Sequence, residues 1–193
     1  MTAFLVKILW RSKTAAKHCM SEILIKTASV EDAERVAELA RQTFWDAFHE
    51  HPKNAPHDTA AYMAGAFSIE RITEQLSDPD NFFLIAEVDK EPAGYARLVR
   101  HSTEEGITAE NPIELNRLYV HQKFLGKGVG PALMEKCFEI GKENGHDVIW
   151  LGVWEYNPRA EAFYTKYGFR VVGKHIFQYG SDPQTDRLMQ KEL

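Results

Sequence analysis

Three glycines in a five-residue stretch form the part of the sequence best suited to chemistry. Gly126, Gly128 and Gly130 follow a strand-like segment, and Pro131 fits the first position of a helix. The backbone N–H groups of such a turn are uncovered, and the helix dipole and Lys127 add positive charge at the same point. The turn therefore predicts a binding site for a phosphate or pyrophosphate. The alternative is a flexible loop that only joins a strand to a helix.

Two common nucleotide motifs are not matched by this turn. Lys127 is followed by Gly128 and not by Ser or Thr, so the hydroxyl that holds magnesium in a P-loop is missing. The G-x-G-x-G spacing also differs from the G-x-G-x-x-G of dinucleotide sites. Glu155, after the next predicted strand, could still hold a ribose, so a nucleotide ligand stays open.

Hydrophobic periodicity predicts an α+β protein with one mixed sheet. Helices are expected to begin near Ser29, Asp58, Ser68, Pro131 and Asn157, and strands are expected at residues 22–27, 81–88, 93–101, 113–121, 147–153, 169–175 and 185–192. Strand alternation in residues 113–121 places Glu114, Asn116, Leu118 and Val120 on one face, and Leu115, Arg117 and Tyr119 on the other.

Composition limits the classes of function. The 193 residues, of which 44% are hydrophobic, suit one domain, expected at residues 21–193 after an extension of unknown role at residues 1–20. A net charge of −5 argues against nucleic acid or an anionic membrane as partner and fits a cationic substrate. No apolar run is long enough to span a membrane. Cys19 and Cys137 form no disulfide framework, which favours a cytoplasmic location.

No metal site is expected. The group of His49, His51, His57 and Asp58 straddles a predicted helix end and two prolines, which is a poor frame for ligands. Cys137 falls on the apolar stripe of its helix, so a core role is expected in place of a nucleophilic one.

The glycine turn resembles motif A of the GNAT superfamily of acetyl-CoA-dependent N-acetyltransferases, Q/R-x-x-G-x-G/A. Gly128 and Gly130 match its two glycines, whereas Leu125 stands in place of Gln or Arg. Residues 157–169, with Asn157, Ala160, Phe163, Tyr164, Tyr167, Gly168 and Phe169, resemble motif B. The resemblance implies the three-layer GNAT fold, with a mixed, mostly antiparallel sheet flanked by helices and splayed between its fourth and fifth strands.

Residues 43–48, 150–155, 162–169 and 184–186 are similar to bacterial spermidine/spermine N-acetyltransferases of the PaiA type. This resemblance implies acetyl transfer from acetyl-CoA to a primary amine of a small cationic acceptor, with a polyamine as the expected substrate. Analogy with relatives that are often dimers implies a homodimer. The alternatives are an acetyltransferase for another amine and a catalytically silent acyl-CoA-binding module.

The resemblance also implies roles for individual residues. The residues expected to bind acetyl-CoA are Leu118, Tyr119, Val120, Gly126, Lys127, Gly128, Val129, Gly130, Pro131, Asn157 and Tyr164. Tyr164 is expected to protonate the CoA thiolate, and a backbone N–H near Val120 to meet the thioester oxygen. Tyr164 has the alternative role of a core residue.

Glu114 is the candidate general base, because it is expected on the same strand face as Leu118, where burial would raise its pKa toward the working range. It could equally be an exposed carboxylate that attracts a cation. Candidates for contact with the acceptor are Trp45, His49, Glu114, Trp154 and Glu155. Core packing would explain either tryptophan as well.

Overall fold

The computed structural model of the chain describes residues 6–8 and 22–193. Its elements are, in chain order, β1 (Val6–Ile8), β2 (Ile23–Thr27), α1 (Ala33–Phe48), α2 (Pro56–Ala66), α3 (Ile69–Ser77), β3 (Asn81–Val88), β4 (Glu91–Arg100), β5 (Pro112–Val120), α4 (Val129–Glu143), β6 (Val148–Trp154), α5 (Pro158–Lys166), β7 (Arg170–Tyr179) and β8 (Asp182–Glu192). The rest of the predicted extension at residues 1–20 lies outside the described residues.

One mixed sheet runs through the described part of the chain in the order β1-β2-β3-β4-β5-β6-β8-β7. The β5–β6 pair is parallel, and every other pair of neighbours is antiparallel. The predicted α+β class and the mixed, mostly antiparallel sheet are therefore confirmed. The last hairpin is longer than expected, since β7 and β8 continue through residues 176–184.

Helices cover both faces of the sheet and produce two cores. On one face, α4 and α5 pack on the sheet through residues such as Leu133, Cys137 and Ile149, all fully buried. On the other face, α1 to α3 bury Val36 and Ile72 against β3 and β4. The apolar stripe of α4 recurs at helical spacing, which explains why that face of the helix is the one turned inward. Cys137 is a core residue, as its position on the stripe predicted.

Some helix starts were predicted correctly and some were not. The Ser68 hydroxyl accepts a hydrogen bond from the Arg71 N–H at 3.1 Å, and the Asn157 side chain accepts one from the Ala160 N–H at 3.1 Å. The cap assigned to Asp58 was wrong, because α2 begins at Pro56. The buried Asp58 carboxylate instead accepts a hydrogen bond from the Ser181 N–H at 2.6 Å, joining α2 to the last hairpin.

A β-bulge in β5 overturns one prediction. Leu98 of β4 pairs with Leu115 and Arg97 pairs with Arg117, so Asn116 is an extra residue without a partner in β4. Ile113 and Leu115 face the core under α4, as do Leu118 and Val120 beyond the bulge. Glu114 therefore lies on the face opposite to Leu118, whereas unbroken alternation placed both on one face.

The strands β5 and β6 pair over a short distance only. Their register joins residues 112–114 to residues 148–150, and beyond Glu114 and Trp150 the two strands separate. This is the splay that the resemblance implied, between the fourth and fifth strands as counted from β2.

We expect Leu133→Ala to lower the free energy of unfolding by about 3 kcal/mol, since it leaves a cavity in the fully packed core under α4. Val171→Ala, at a position that is 51% exposed on β7, should change it by less than about 0.5 kcal/mol. Urea unfolding of the two variants measures both values, and equal losses would contradict the burial of Leu133.

Candidate active site

The gap between β5 and β6 opens into a cleft of about 670 Å³. The glycine turn and the first turns of α4 and α5 line one end of the cleft. Aromatic side chains from α1, α2, β5 and β7 line the other, including Phe44, Tyr62, Tyr119 and Tyr179. The two ends are called the glycine end and the aromatic end below.

Main-chain groups of β5 face this cleft. Directly after β5, the His121 N–H donates to the Ala93 carbonyl of β4 at 2.9 Å, so the backbone at this position bonds toward β4. Because successive residues of a strand point their N–H and C=O groups to opposite sides, the groups of Leu118 and Val120 point into the gap. Strand β6 does not pair with them there, so an extended ligand could take the place of a strand.

The glycine turn places backbone donors at the start of α4. Gly126 and Gly128 have φ of +76° and +90°, a conformation that favours glycine. Helix α4 begins at Val129, and its first main-chain bond is donated by the Ala132 N–H to the Gly128 carbonyl at 3.0 Å. The N–H groups of Val129 and Gly130 thus lack acceptors within the helix and suit an anion.

Pro131 is the third residue of α4, so its prediction as the first was wrong, but it still lies in the turn where a missing N–H costs nothing. Leu125 lines the cleft and is 39% exposed. The Lys127 ammonium lies over the Phe124 ring, 5.2 Å from its centroid, and the Lys127 side chain does not line the cleft. Its predicted contact with a phosphate stays a prediction.

Helix α5 adds Asn157 and Tyr164 to the glycine end. Tyr164 is 9% exposed, and burial raises the pKa of its phenol well above the ordinary value, so the hydroxyl keeps its proton. Within residues 22–193 this hydroxyl has no hydrogen-bond partner. It is therefore available to donate a proton to a ligand in the cleft.

Two cations of α5 were missed by sequence reasoning. Arg159 and Lys166 both line the cleft at its glycine end. Their spacing of seven residues places them on one side of the helix, which was the only signal that could have found them.

The predicted acceptor residues are not brought together. Trp154 lines the aromatic end and packs edge-on against His51, with ring centroids 4.5 Å apart. Trp45 and His49 stack on each other at 4.5 Å on the outer side of α1, and Trp45 borders a separate small cavity with Arg41 and Met63. Glu155 does not line the cleft. Contacts of these residues with an acceptor stay predictions.

Glu114 does not line the cleft either. Its carboxylate accepts hydrogen bonds from the Ser102 hydroxyl at 2.7 Å and the Asn116 amide at 2.7 Å. The bulge at Asn116 accounts for this placement, because it puts Glu114 on the strand face opposite to Leu118 and Val120.

Asp186 lines the cleft, as does Asp46 of α1, and sequence reasoning gave neither of them a role. Asp186 pairs with Trp154 in register, and its Oδ2 lies 3.2 Å from the position that a Cβ of Gly152 would take. The absent side chain at Gly152 therefore leaves room for the carboxylate. Burial raises the pKa of Asp186 to about 6, although His175, whose Nε2 is 3.7 Å from Oδ2, opposes that rise.

No group of three or more His, Cys, Asp and Glu side chains in the described ranges is arranged to hold a metal ion. Among the same residues, no helix has the length and apolar character needed to cross a membrane.

A parallel strand pair that separates ahead of a glycine turn at the start of a helix is the arrangement implied by the acetyltransferases that the two motifs resemble. A family model described as the acetyltransferase (GNAT) family matches residues 34–169. An uncharacterized N-acetyltransferase of Lactobacillus delbrueckii subsp. lactis is 33% identical over 174 residues, covering 90% of this chain and 99% of the relative. The chain belongs to the GNAT family of acetyltransferases.

Two further comparisons agree. An uncharacterized N-acetyltransferase of Mycobacterium tuberculosis is 34% identical over 162 residues, covering 84% of this chain and 98% of the relative. The crystal structure of a PaiA N-acetyltransferase from Thermoplasma acidophilum in complex with coenzyme A superposes with a TM-score of 0.71 at 25% identity, covering 89% of this chain and 99% of the other.

We expect Gly128→Ala to weaken CoA binding by about tenfold or more, because its φ of +90° is strained for alanine and the turn must shift its donors. Gly145→Ala is the matched control: its φ is +74°, it lies beyond the far end of α4, and a Cβ there meets nothing within 4 Å. Calorimetric titration with CoA should show unchanged affinity for the control. Equal losses in both variants would contradict a role of the turn in binding.

Proposed function

We propose that the protein transfers the acetyl group of acetyl-CoA to a primary amine of a small acceptor, by direct attack while both substrates are bound. The observation that carries this proposal is the gap between β5 and β6, where groups of Leu118 and Val120 face the cleft next to the glycine turn. The pantetheine arm would bond to these strand groups, and the pyrophosphate would lie on the N–H groups of Gly126, Gly128, Val129 and Gly130. The Lys127 N–H donates to the Phe124 carbonyl instead. Arg159 and Lys166 supply positive charge for the remaining phosphate.

The reaction forms one C–N bond and breaks one C–S bond. The neutral amine attacks the thioester carbon, and the negative charge that develops on the carbonyl oxygen is stabilised by the Val120 N–H. As the tetrahedral intermediate collapses, the sulfur leaves as a thiolate. The Tyr164 hydroxyl, which burial keeps protonated, gives it a proton.

The amine must lose its proton, and Asp186 is the group placed to take it. It lines the cleft beside Gly152 and Trp154, and its pKa of about 6 leaves it mostly ionised at neutral pH. Glu114, the base expected from the sequence, could act only through intervening groups, because Ser102 and Asn116 occupy its carboxylate outside the cleft. We therefore assign the role of general base to Asp186, which takes the proton of the amine directly or through water.

A polyamine is the acceptor expected from the sequence, and two features of the cleft support a cationic amine. The rings of Phe48, Tyr62 and Trp154 offer π faces, and Asp186 offers a carboxylate. A homodimer and a cytoplasmic location likewise stay proposals, supported by analogy with relatives and by the composition of the chain.

The first test is CoA release from acetyl-CoA by the purified protein, against spermidine, spermine, amino acids and aminoglycosides. Release with any primary amine supports transfer. Tight binding of acetyl-CoA without release in the whole panel would favour the alternative, a catalytically silent acyl-CoA-binding module. The free hydroxyl of Tyr164 favours the enzyme, since a binding module does not need it.

We expect Tyr164→Phe to lower kcat by about 100-fold while leaving the affinity for CoA unchanged, because it removes only the proton donor. Tyr156→Phe is the control, at a position that is 45% exposed and does not line the cleft. Steady-state CoA release and CoA titration separate the two effects. Equal kcat in Tyr164→Phe and in the unsubstituted protein would contradict the role of Tyr164 as acid.

The pH dependence of kcat/KM should show the ionisation of Asp186. Only the ionised carboxylate accepts a proton, so kcat/KM is expected to fall as the pH drops below about 6, where Asp186 becomes protonated. Asp186→Asn should lower the plateau by about 100-fold and remove this step, while the ionisation of the amine remains in both profiles. A step near pH 6 that persists in Asp186→Asn would assign the base to another group.

A further inference from the structure

Arg117 is a buried cation at the aromatic end of the cleft. It is 8% exposed and lines the cleft. Its Nη1 donates to the Gln75 amide oxygen at 3.2 Å, and its guanidinium carbon lies 4.9 Å from the centre of the Phe67 ring. In the part of the chain that the structure describes, it forms no salt bridge. Burial of a cation without a counter-charge is costly, so Arg117 has an unmet capacity for an anion.

Arg97, on the neighbouring strand, is an arginine whose positive charge has a carboxylate nearby. It lies opposite Arg117 in the register of β4 and β5. Its Nε donates to Asn81 at 2.7 Å and its Nη1 to Asn116 at 2.9 Å, and the Asn116 amide in turn donates to Glu114. Arg97 thus has a carboxylate one amide away, whereas the groups that the Arg117 guanidinium contacts, the Gln75 amide and the Phe67 ring, are neutral.

The guanidinium groups of Arg97 and Arg117, which are paired across β4 and β5, together raise the electrostatic potential around them. Burial and, after it, the charge of Arg117 lower the pKa of Arg97 to about 10, and Glu114 opposes that shift. An anion next to Arg117 would relieve both the burial cost and this repulsion. A polyamine, which brings only positive charge, would increase them.

Asp186 provides the opposite charge within the same cleft. Burial raises the pKa of the Tyr62 phenol, Arg117 lowers it and Asp186 raises it, so the hydroxyl lies within the electrostatic reach of both charges. Arg117, Tyr62 and Asp186 all line the cleft, which therefore carries a cation and a carboxylate that act on one aromatic residue. Such a pair suits a ligand that carries a positive and a negative group at once.

We propose that Arg117 is the subsite for a carboxylate of the acceptor, so that the substrate is an amino acid or a similar amino carboxylate in place of a polyamine. This inference rests on the proposed function, since it takes the cleft as the site of the acceptor. The planar guanidinium matches a carboxylate with two parallel hydrogen bonds. With the carboxylate held there, the amine is directed toward Asp186 and the separated strands.

Matched pairs of amines test the subsite, because each pair differs only by a carboxylate. The pairs are ornithine and putrescine, lysine and cadaverine, and phenylalanine and phenethylamine, with spermidine as the polyamine arm. We expect at least one carboxylate-bearing member to exceed its partner in kcat/KM for CoA release by on the order of 100-fold. A preference for spermidine or for the decarboxylated members would overturn the inference while leaving acetyl transfer established.

Arg117→Gln should bring that ratio close to one without changing the affinity for CoA. Arg117→Lys, which keeps the positive charge but loses the planar pair of hydrogen-bond donors, should give an intermediate ratio. Arg100→Gln is the matched control, since Arg100 lies on the other face of β4 over the Phe82 ring and bonds to Asn144. An unchanged ratio in Arg117→Gln would also overturn the subsite. Thermal unfolding and CoA titration show whether each variant is folded.

A binding measurement separates this inference from the proposed function. Protein saturated with CoA is titrated with the members of each pair by calorimetry. Should no amine release CoA, the proposed function fails, yet tighter binding of the carboxylate member that is lost in Arg117→Gln still supports the subsite. Equal or absent binding of both members refutes it.

Discussion

The separation of β5 from β6 is the constraint on which the site depends. A buried main-chain N–H or C=O without a partner is costly, so adjacent strands of a sheet normally stay paired along their length. Here the pairing ends after residue 114 of β5 and residue 150 of β6, and the polar groups of Leu118 and Val120 are left facing a cleft. The glycine turn, the start of α4 and the hydroxyl of Tyr164 all line the same cleft, and each adds a donor to it.

The bulge at Asn116 is the second local departure from a regular sheet. The bulge shifts the alternation of β5 by one residue. Ile113 and Leu115 before it, and Leu118 and Val120 after it, therefore all place apolar side chains under α4. The same shift carries Glu114 into a network with Ser102, Asn116 and Arg97, and leaves Arg117 alone at the aromatic end. A single inserted residue thus decides which charged side chain of β5 lines the cleft.

Sequence reasoning recovered what depends on periodicity and on local chemistry. The strands and helices, the caps at Ser68 and Asn157, the glycine turn and the core position of Cys137 all follow from patterns within a few residues. The placement of Glu114 does not, because nothing in residues 112–120 marks the extra residue, which is defined only by pairing with β4. The roles of Asp186 and Arg117 were not predicted for a similar reason, since they depend on strands that are distant in sequence and meet at one cleft.

The two halves of the sheet share only three pairs of residues between β5 and β6. Strands β6, β8 and β7 are thus attached to the rest of the sheet along a short seam, with the helices α4 and α5 bridging one face. A ligand that fills the gap forms main-chain hydrogen bonds that β5 and β6 do not form with each other there. It thereby connects the two halves of the sheet. Its occupancy stiffens the seam between the halves, and the folded state gains stability in proportion to the logarithm of ligand concentration.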